Sequence, residues 1–147
     1  MKNSGFWIVR TTLDAYEACT DHCRVGASEI NRKKLGSLSK GDHGIFYIST
    51  SRLHKSSETI SEFRSPFVID GPLEAISIDV PTLPPDKSLT CSVAMRLLPS
   101  RGICEMSPLI EHLDFIKKKE HWGSYLMQPF IRISKADYQR VVDCIGA

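Results

Sequence analysis

Apolar residues occur in short runs separated by turn residues, and strand-like and helix-like periods alternate along the chain. "GFWIVR", residues 5–10, is apolar and β-branched and reads as a strand. In "TTLDAYEACTDHC" after it, Thr11 and Asp14 stand at capping-box spacing, which predicts a helix. Residues 24–39, with their glycines and "NRKK", read as a loop holding one short helical turn. "KGDHG" is a turn signal, and "IFYIS" behind it is a strand. Residues 49–63 are rich in serine and threonine without a period, predicting an exposed loop.

"PFVIDGPLEAISIDV" holds β-rich runs around Asp70-Gly71-Pro72, and Ile76, Ile78 and Val80 alternate as one face of a half-buried strand. "PTLPPDKS" is a proline-rich connection, and "CSVAMRLLP" is the next strand. Ser107 and Pro108 supply an N-cap and a first-turn proline for a helix reaching about Lys119. Leu109, Leu113 and Ile116 would be its buried stripe, with Lys117, Lys118 and Lys119 at the negative end of its dipole. "QPFIRI" is a last strand, and Ser134 with Asp137 opens a closing helix buried through Tyr138, Val141, Val142 and Ile145. The order β-α-loop-β-β-β-α-β-α has few crossovers of βαβ length. It argues an α+β fold, with a curved or closed mixed sheet and helices outside it.

A length of 147 residues is most simply one domain, and 41% hydrophobic with 24% charged residues is ordinary for a globular chain. No apolar run approaches the roughly 20 residues of a membrane span. The first residues are too few and too quickly charged for a signal peptide. The expectation is a cytoplasmic protein, nuclear if eukaryotic, without a membrane partner. Five cysteines, an odd number without framework spacing, are expected to be reduced and mostly buried. "CTDHC" places Cys19, His22 and Cys23 together, but no second ligand pair matches it, so no metal site is spelled out.

Net charge is only +2, yet it is unevenly spread. Residues 58–90 are acidic, while basic residues cluster at Arg32, Lys33, Lys34 and at Lys117, Lys118, Lys119. Such a polarised surface can attract a polyanion; two solvated faces would look the same in sequence. No phosphate-loop, dinucleotide, zinc-protease or nucleophile-elbow motif is present, and no catalytic residue or cofactor is indicated. Cys104 with His112 or His121 has nothing local that would activate the thiol.

"FWIVRTT", "LSKGDHGIFYIS" and "MSPLIEHLDFIKKKEHWGSYLMQPFIRISKADYQRV" together resemble an EVE domain across essentially the whole chain. The C-terminal block carries most of the likeness; the middle of the chain matches loosely. The resemblance implies a single PUA-like domain over residues 1–147, a mixed β pseudo-barrel flanked by helices. It also implies relation to YTH domains, which bind methylated adenine in RNA, and hence recognition of a modified base in DNA or RNA.

Carried onto this chain, the resemblance puts Arg10, Thr11 and Thr12 at the end of the first strand, beside the ligand. It puts Val25 where the related domains have a tryptophan wall, Gly26 at the small position after it, and Asn31 at a polar position. With valine there, either another ring takes over the stack, worth about 1–3 kcal/mol, or the pocket holds something different. Trp122, flanked by Gly123, is the first candidate; Tyr47, with Ser49 on its side of the strand, and Trp7 are others. Trp122 could equally plug the core, and Trp7 sits in an apolar strand. Arg32, Lys33, Lys34, Lys117, Lys118 and Lys119 would position phosphates. The expected function is a non-catalytic nucleic-acid-binding module. The alternative is a hydrolase like those of the ASCH group, using Arg10, Thr11 and Glu74; a third is an interaction module with residues 51–63 as its contact surface.

Overall fold

The computed structural model describes residues 4–51, 59–100 and 102–146. Strands β1 (Phe6–Thr11), β2 (Arg24–Ala27), β3 (His43–Thr50), β4 (Thr59–Glu74), β5 (Cys91–Leu97), β6 (Cys104–Glu105) and β7 (Phe130–Ile133) form a seven-stranded sheet. Its order is β2-β5-β4-β3-β1-β7, with β6 pairing to β4 off this path. β1 and β3 are parallel and the other pairs antiparallel, so the sheet is mixed. The α+β class and the flanking helices agree with the sequence. The sheet is not closed into a barrel, because β2 and β7, at the two ends of the path, do not pair with each other among the described residues.

Strand alternation divides the core in two. Trp7, Val9, Phe46, Ile48 and Phe67 point to a cluster shared with Ala15 and Cys19 of α1 (Leu13–His22) and Leu35 of α2 (Arg32–Leu35). Ile8, Ile45, Tyr47 and Phe63 point the other way. There they meet Leu109, Leu113, Ile116 and Leu126, together with Tyr138, Val141 and Ile145 of α3 (Lys135–Ile145). Period-2 side chains on central strands thus bury both faces of the sheet. Between β3 and β4 the approach is close: a Cβ on Gly44 would lie 2.3 Å from the Phe67 ring, so only glycine fits.

β4 corrects one expectation and the segment after it a second. The expected loop over residues 49–63 falls partly on residues 52–58, outside the described residues; its end, Thr59–Phe63, is strand. Ser61 and Ser65 have φ of 58° and 54°, which bends the strand and breaks the alternation that would have marked it. Around Ile76–Val80, by contrast, only Ile78 makes a bridge, to Leu89, while Ile76 is 42% exposed. β2 replaces expected loop, and β6 falls on residues for which the sequence predicts no element.

The helix expected from Ser107 to Lys119 is two 3-10 segments, Ser107–His112 and Lys119–Leu126, with irregular chain between them. No dipole therefore accumulates toward Lys117–Lys119. What fixes the irregular piece is Asp137, 1% exposed, whose carboxylate accepts the amides of Asp114 at 2.8 Å and Phe115 at 3.0 Å. Leu109, Leu113 and Ile116 are buried as expected, by this bracing instead of by a helical stripe. The Ser134 cap does form, accepting the Asp137 amide at 3.1 Å. The Thr11–Asp14 box does not: Thr12 is the N-cap of α1, and its hydroxyl donates to Asp14.

Two of the five cysteines are not reduced. Cys104 and Cys144 are bonded and tie β6 to α3, with Cα atoms 5.5 Å apart. Cys19 is buried, but Cys23 is exposed and is itself the αL residue that ends α1.

Candidate functional site

The C-terminal end of β1 feeds both faces of the sheet. Val9 and Thr11 share one side, Ile8 and Arg10 the other, and a cavity opens on each. Arg10 borders both cavities.

The first cavity, about 170 Å³, lies between the end of β1, the start of α1 and the end of β2. Arg10, Thr11 and Thr12 line it from β1, and Gly26, Ala27, Ser28 and Asn31 from the far side. Phe46 forms part of its base, with Phe130 and Pro129 at the entry to β7. Leu83, Lys87 and Leu89 of the proline-rich connection complete it. The volume is below the roughly 300 Å³ at which drug-sized pockets begin, so it suits a single ring system.

Polar groups converge there. Ser28 is buried, and the Asn31 side chain reaches it only loosely, Nδ2 to Oγ at 3.5 Å. Asn31 is half-buried and makes no side-chain cap to α2, so its amide can turn to a ligand edge. Cys19 is no rival polar group: burial pushes its thiol up to about 11, leaving it protonated.

Val25 does not line this cavity. It is fully buried in the first core cluster, while its neighbours Gly26 and Ala27 reach the cavity. A Cβ on Gly26 would stand 3.0 Å from Ile78 Cδ1 and from Leu89 Cδ1. These two side chains occupy the space into which a larger residue would project. Trp7 is core too, its Nε1 donating to Asp42 Oδ2 at 2.9 Å.

The basic cluster of α2 continues from Asn31 at the cavity edge. Arg32, Lys33 and Lys34 are exposed; Arg32 is 3.5 Å from Glu29, and Lys34 Nζ donates to Gln128 Oε1 at 2.9 Å. That bond links α2 to the segment carrying Pro129 and Phe130. Lys117, Lys118 and Lys119 line neither cavity, and Lys119 Nζ is held by the Leu113 carbonyl at 2.7 Å.

The second cavity, about 180 Å³, gathers Tyr47, Ser49 and Trp122 around Arg10. The sequence-predicted site residues are thus divided between two cavities, Trp122 lying across the sheet from Gly26 and Asn31. Glu74, required with Arg10 and Thr11 by the hydrolase alternative, lines neither; its carboxylate pairs with Arg24 at 2.8 Å. Among the described residues no group of three His, Cys, Asp or Glu side chains is placed to hold a metal.

Sequence reasoning did not find Phe46, Phe130, Ser28 or Lys87. Phe46 and Phe130 read as ordinary strand residues, and only three-dimensional pairing, Val9 opposite both, brings them to the end of β1.

No family profile matches the chain, and no curated protein is detectably similar to it in sequence. Solved structures are similar in fold. The YTH domain of the Zygosaccharomyces rouxii MRB1 protein, in complex with N6-methyladenosine RNA, superposes with a TM-score of 0.63 at 12% identity, over 97% of this chain and 86% of that one. The Pho92 YTH domain in complex with m6A gives 0.62 at 13% identity, covering 100% and 86%. A hypothetical protein from Leishmania major gives 0.57 at 11%, covering 96% and 94%. At such identities the likeness is one of fold: the chain has the architecture seen in YTH domains.

Proposed function

We propose that this protein is a non-catalytic reader of a modified base in single-stranded nucleic acid, with RNA the favoured polymer. The observation that carries the proposal is the first cavity: one ring in size, at the end of β1, with a basic helix at its rim. The fold it sits in is shared with YTH domains solved with N6-methyladenosine RNA, which supports the reading without fixing the modification.

In this reading the base enters between the Thr11–Thr12 end of β1 and Gly26–Asn31. Phe46 and Phe130 give apolar ring contact in place of the tryptophan wall expected at Val25. Asn31, Ser28 and backbone groups bond the base edge, as single-stranded recognition requires. Arg32, Lys33, Lys34 and Arg10 position phosphates, contributing affinity without base information.

Asn31→Ala tests the site. The side chain has only its long contact to Ser28, so truncation should leave the thermal midpoint within about 2 °C of wild type, the range of surface changes below 0.5 kcal/mol. Binding to a modified oligonucleotide should lose at least tenfold, while binding to the unmodified twin is unchanged. An unaltered preference for the modified strand would place base reading elsewhere. Turnover of the modified nucleoside would instead favour a hydrolase.

A further inference from the structure

We infer that the second cavity is a subsite for the nucleotide next to the recognised base, whose shared phosphate lies on Arg10. The inference rests on the base-reading proposal above, but apart from Arg10 it comes from different residues. Arg10 is exposed and makes no ion pair with any described residue, although it borders both cavities. A free guanidinium between two ring-sized cavities suits a phosphodiester whose two bases splay to either side.

The lining of the second cavity has the chemistry of a nucleotide site. Trp122 is half-buried, packed on the second core cluster, and offers a ring for stacking. The hydroxyl-bearing residues Tyr47, Ser49, Thr59 and Ser61 line the same cavity. Tyr47 is 4% exposed and shares a 2.9 Å hydrogen bond with Ser61 Oγ. Burial holds its phenol above its ordinary pKa, so it stays a neutral donor and acceptor at neutral pH. Ser49 Oγ donates to the Thr11 carbonyl at 3.3 Å, a long bond that leaves the hydroxyl open to a better partner. Several hydroxyls sharing a cavity with one indole can serve any base edge or a ribose 2′-OH, which implies binding with little sequence preference.

Gly123 supplies a clean test. It lines this cavity, and nothing lies within 4 Å of where its Cβ would be. Gly123→Leu should therefore fill the cavity mouth while the thermal midpoint is retained. The probes are the 5′-monophosphate of N6-methyladenosine, and dinucleotides joining N6-methyladenosine to uridine in both orders. Wild type should bind one dinucleotide at least tenfold more tightly than the monophosphate. Gly123→Leu and Trp122→Ala should each remove that gain, leaving monophosphate affinity within twofold of wild type. Dinucleotide affinity unchanged in Gly123→Leu would overturn the subsite while the base-reading proposal stands. Failure of wild type to prefer the methylated monophosphate over plain adenosine 5′-monophosphate, repeated for 5-methylcytidine against cytidine 5′-monophosphate, would sink base reading, and a dinucleotide gain lost in Gly123→Leu would still support the subsite.

Discussion

Replacing Arg32, Lys33 and Lys34 together by alanine should remove most of the salt dependence of RNA binding. All three side chains are exposed on α2, a four-residue helix beside the cavity edge. Lys33 has no ion pair with a described residue, and the Arg32–Glu29 pair, with side chains 46% and 67% exposed, is of the kind worth little. Lys34 bonds a neutral amide, which brings no opposing charge. In the proposed binding mode they and Arg10 make four phosphate contacts. Single-stranded binding changes with a slope of about −0.7 per contact in log K against log salt. Wild type should then show a slope of about −2.8, a roughly 50-fold loss between 50 and 200 mM salt. The triple variant retains Arg10 alone, so its slope should be about −0.7, a loss of roughly threefold. Fluorescence anisotropy with a labelled single strand, modified and unmodified, over a potassium chloride series reads both. The two strands should give the same slope, because phosphates carry no base information. A triple variant with the wild-type slope would show that α2 is merely a solvated face.

Two further predictions concern the scaffold. Burial alone would raise the Asp42 carboxyl, but the Ser39 and Gly5 amides, the Trp7 indole and Arg132 outweigh it and hold its pKa below 3.8. A depressed carboxylate stabilises fully above its ordinary value and loses that contribution as pH falls through the folded one. Asp42→Asn should cost about 1.5–3 kcal/mol at neutral pH, and the gap to wild type should narrow below about pH 4; melts that stay parallel down to pH 2 would refute this. The Cys104–Cys144 bond spans 40 residues of sequence, a closure worth about 4 kcal/mol. The double serine variant should melt roughly 8–16 °C lower, and a midpoint insensitive to reductant in wild type would argue that the bond does not form in solution.

Much of the scaffold was legible because period and burial coincide there. β1, β3, β5 and β7 are apolar runs whose alternation fills two cores, and the Ser134 cap with Tyr138, Val141 and Ile145 marked α3. Where φ turns positive, at Ser61 and Ser65, the period was lost and strand looked like loop. The segment before Trp122 looked helical because Leu109, Leu113 and Ile116 are spaced as in a helix. A carboxylate 23 residues further on braces it instead, and no local rule reveals such a partner. The site was legible in composition but not in arrangement. Arg10, Thr11, Thr12, Gly26 and Asn31 do meet at one cavity. Tyr47, Ser49 and Trp122 meet at another, because one-residue alternation along β1 and β3 sends neighbours to opposite faces. Val25 lies one residue before Gly26, the first residue of β2 to line the cavity.

Base reading itself is tested most directly by one ratio. Affinities of the wild-type protein for a single-stranded RNA carrying one N6-methyladenosine, and for its unmodified twin, are to be measured at the same salt concentration. Because both strands offer the same phosphates, the ratio isolates what the first cavity recognises. The account predicts at least tenfold tighter binding to a modified strand, with a methylcytosine DNA pair measured alongside to identify the base. Equal affinities for modified and unmodified strands in both pairs would contradict it.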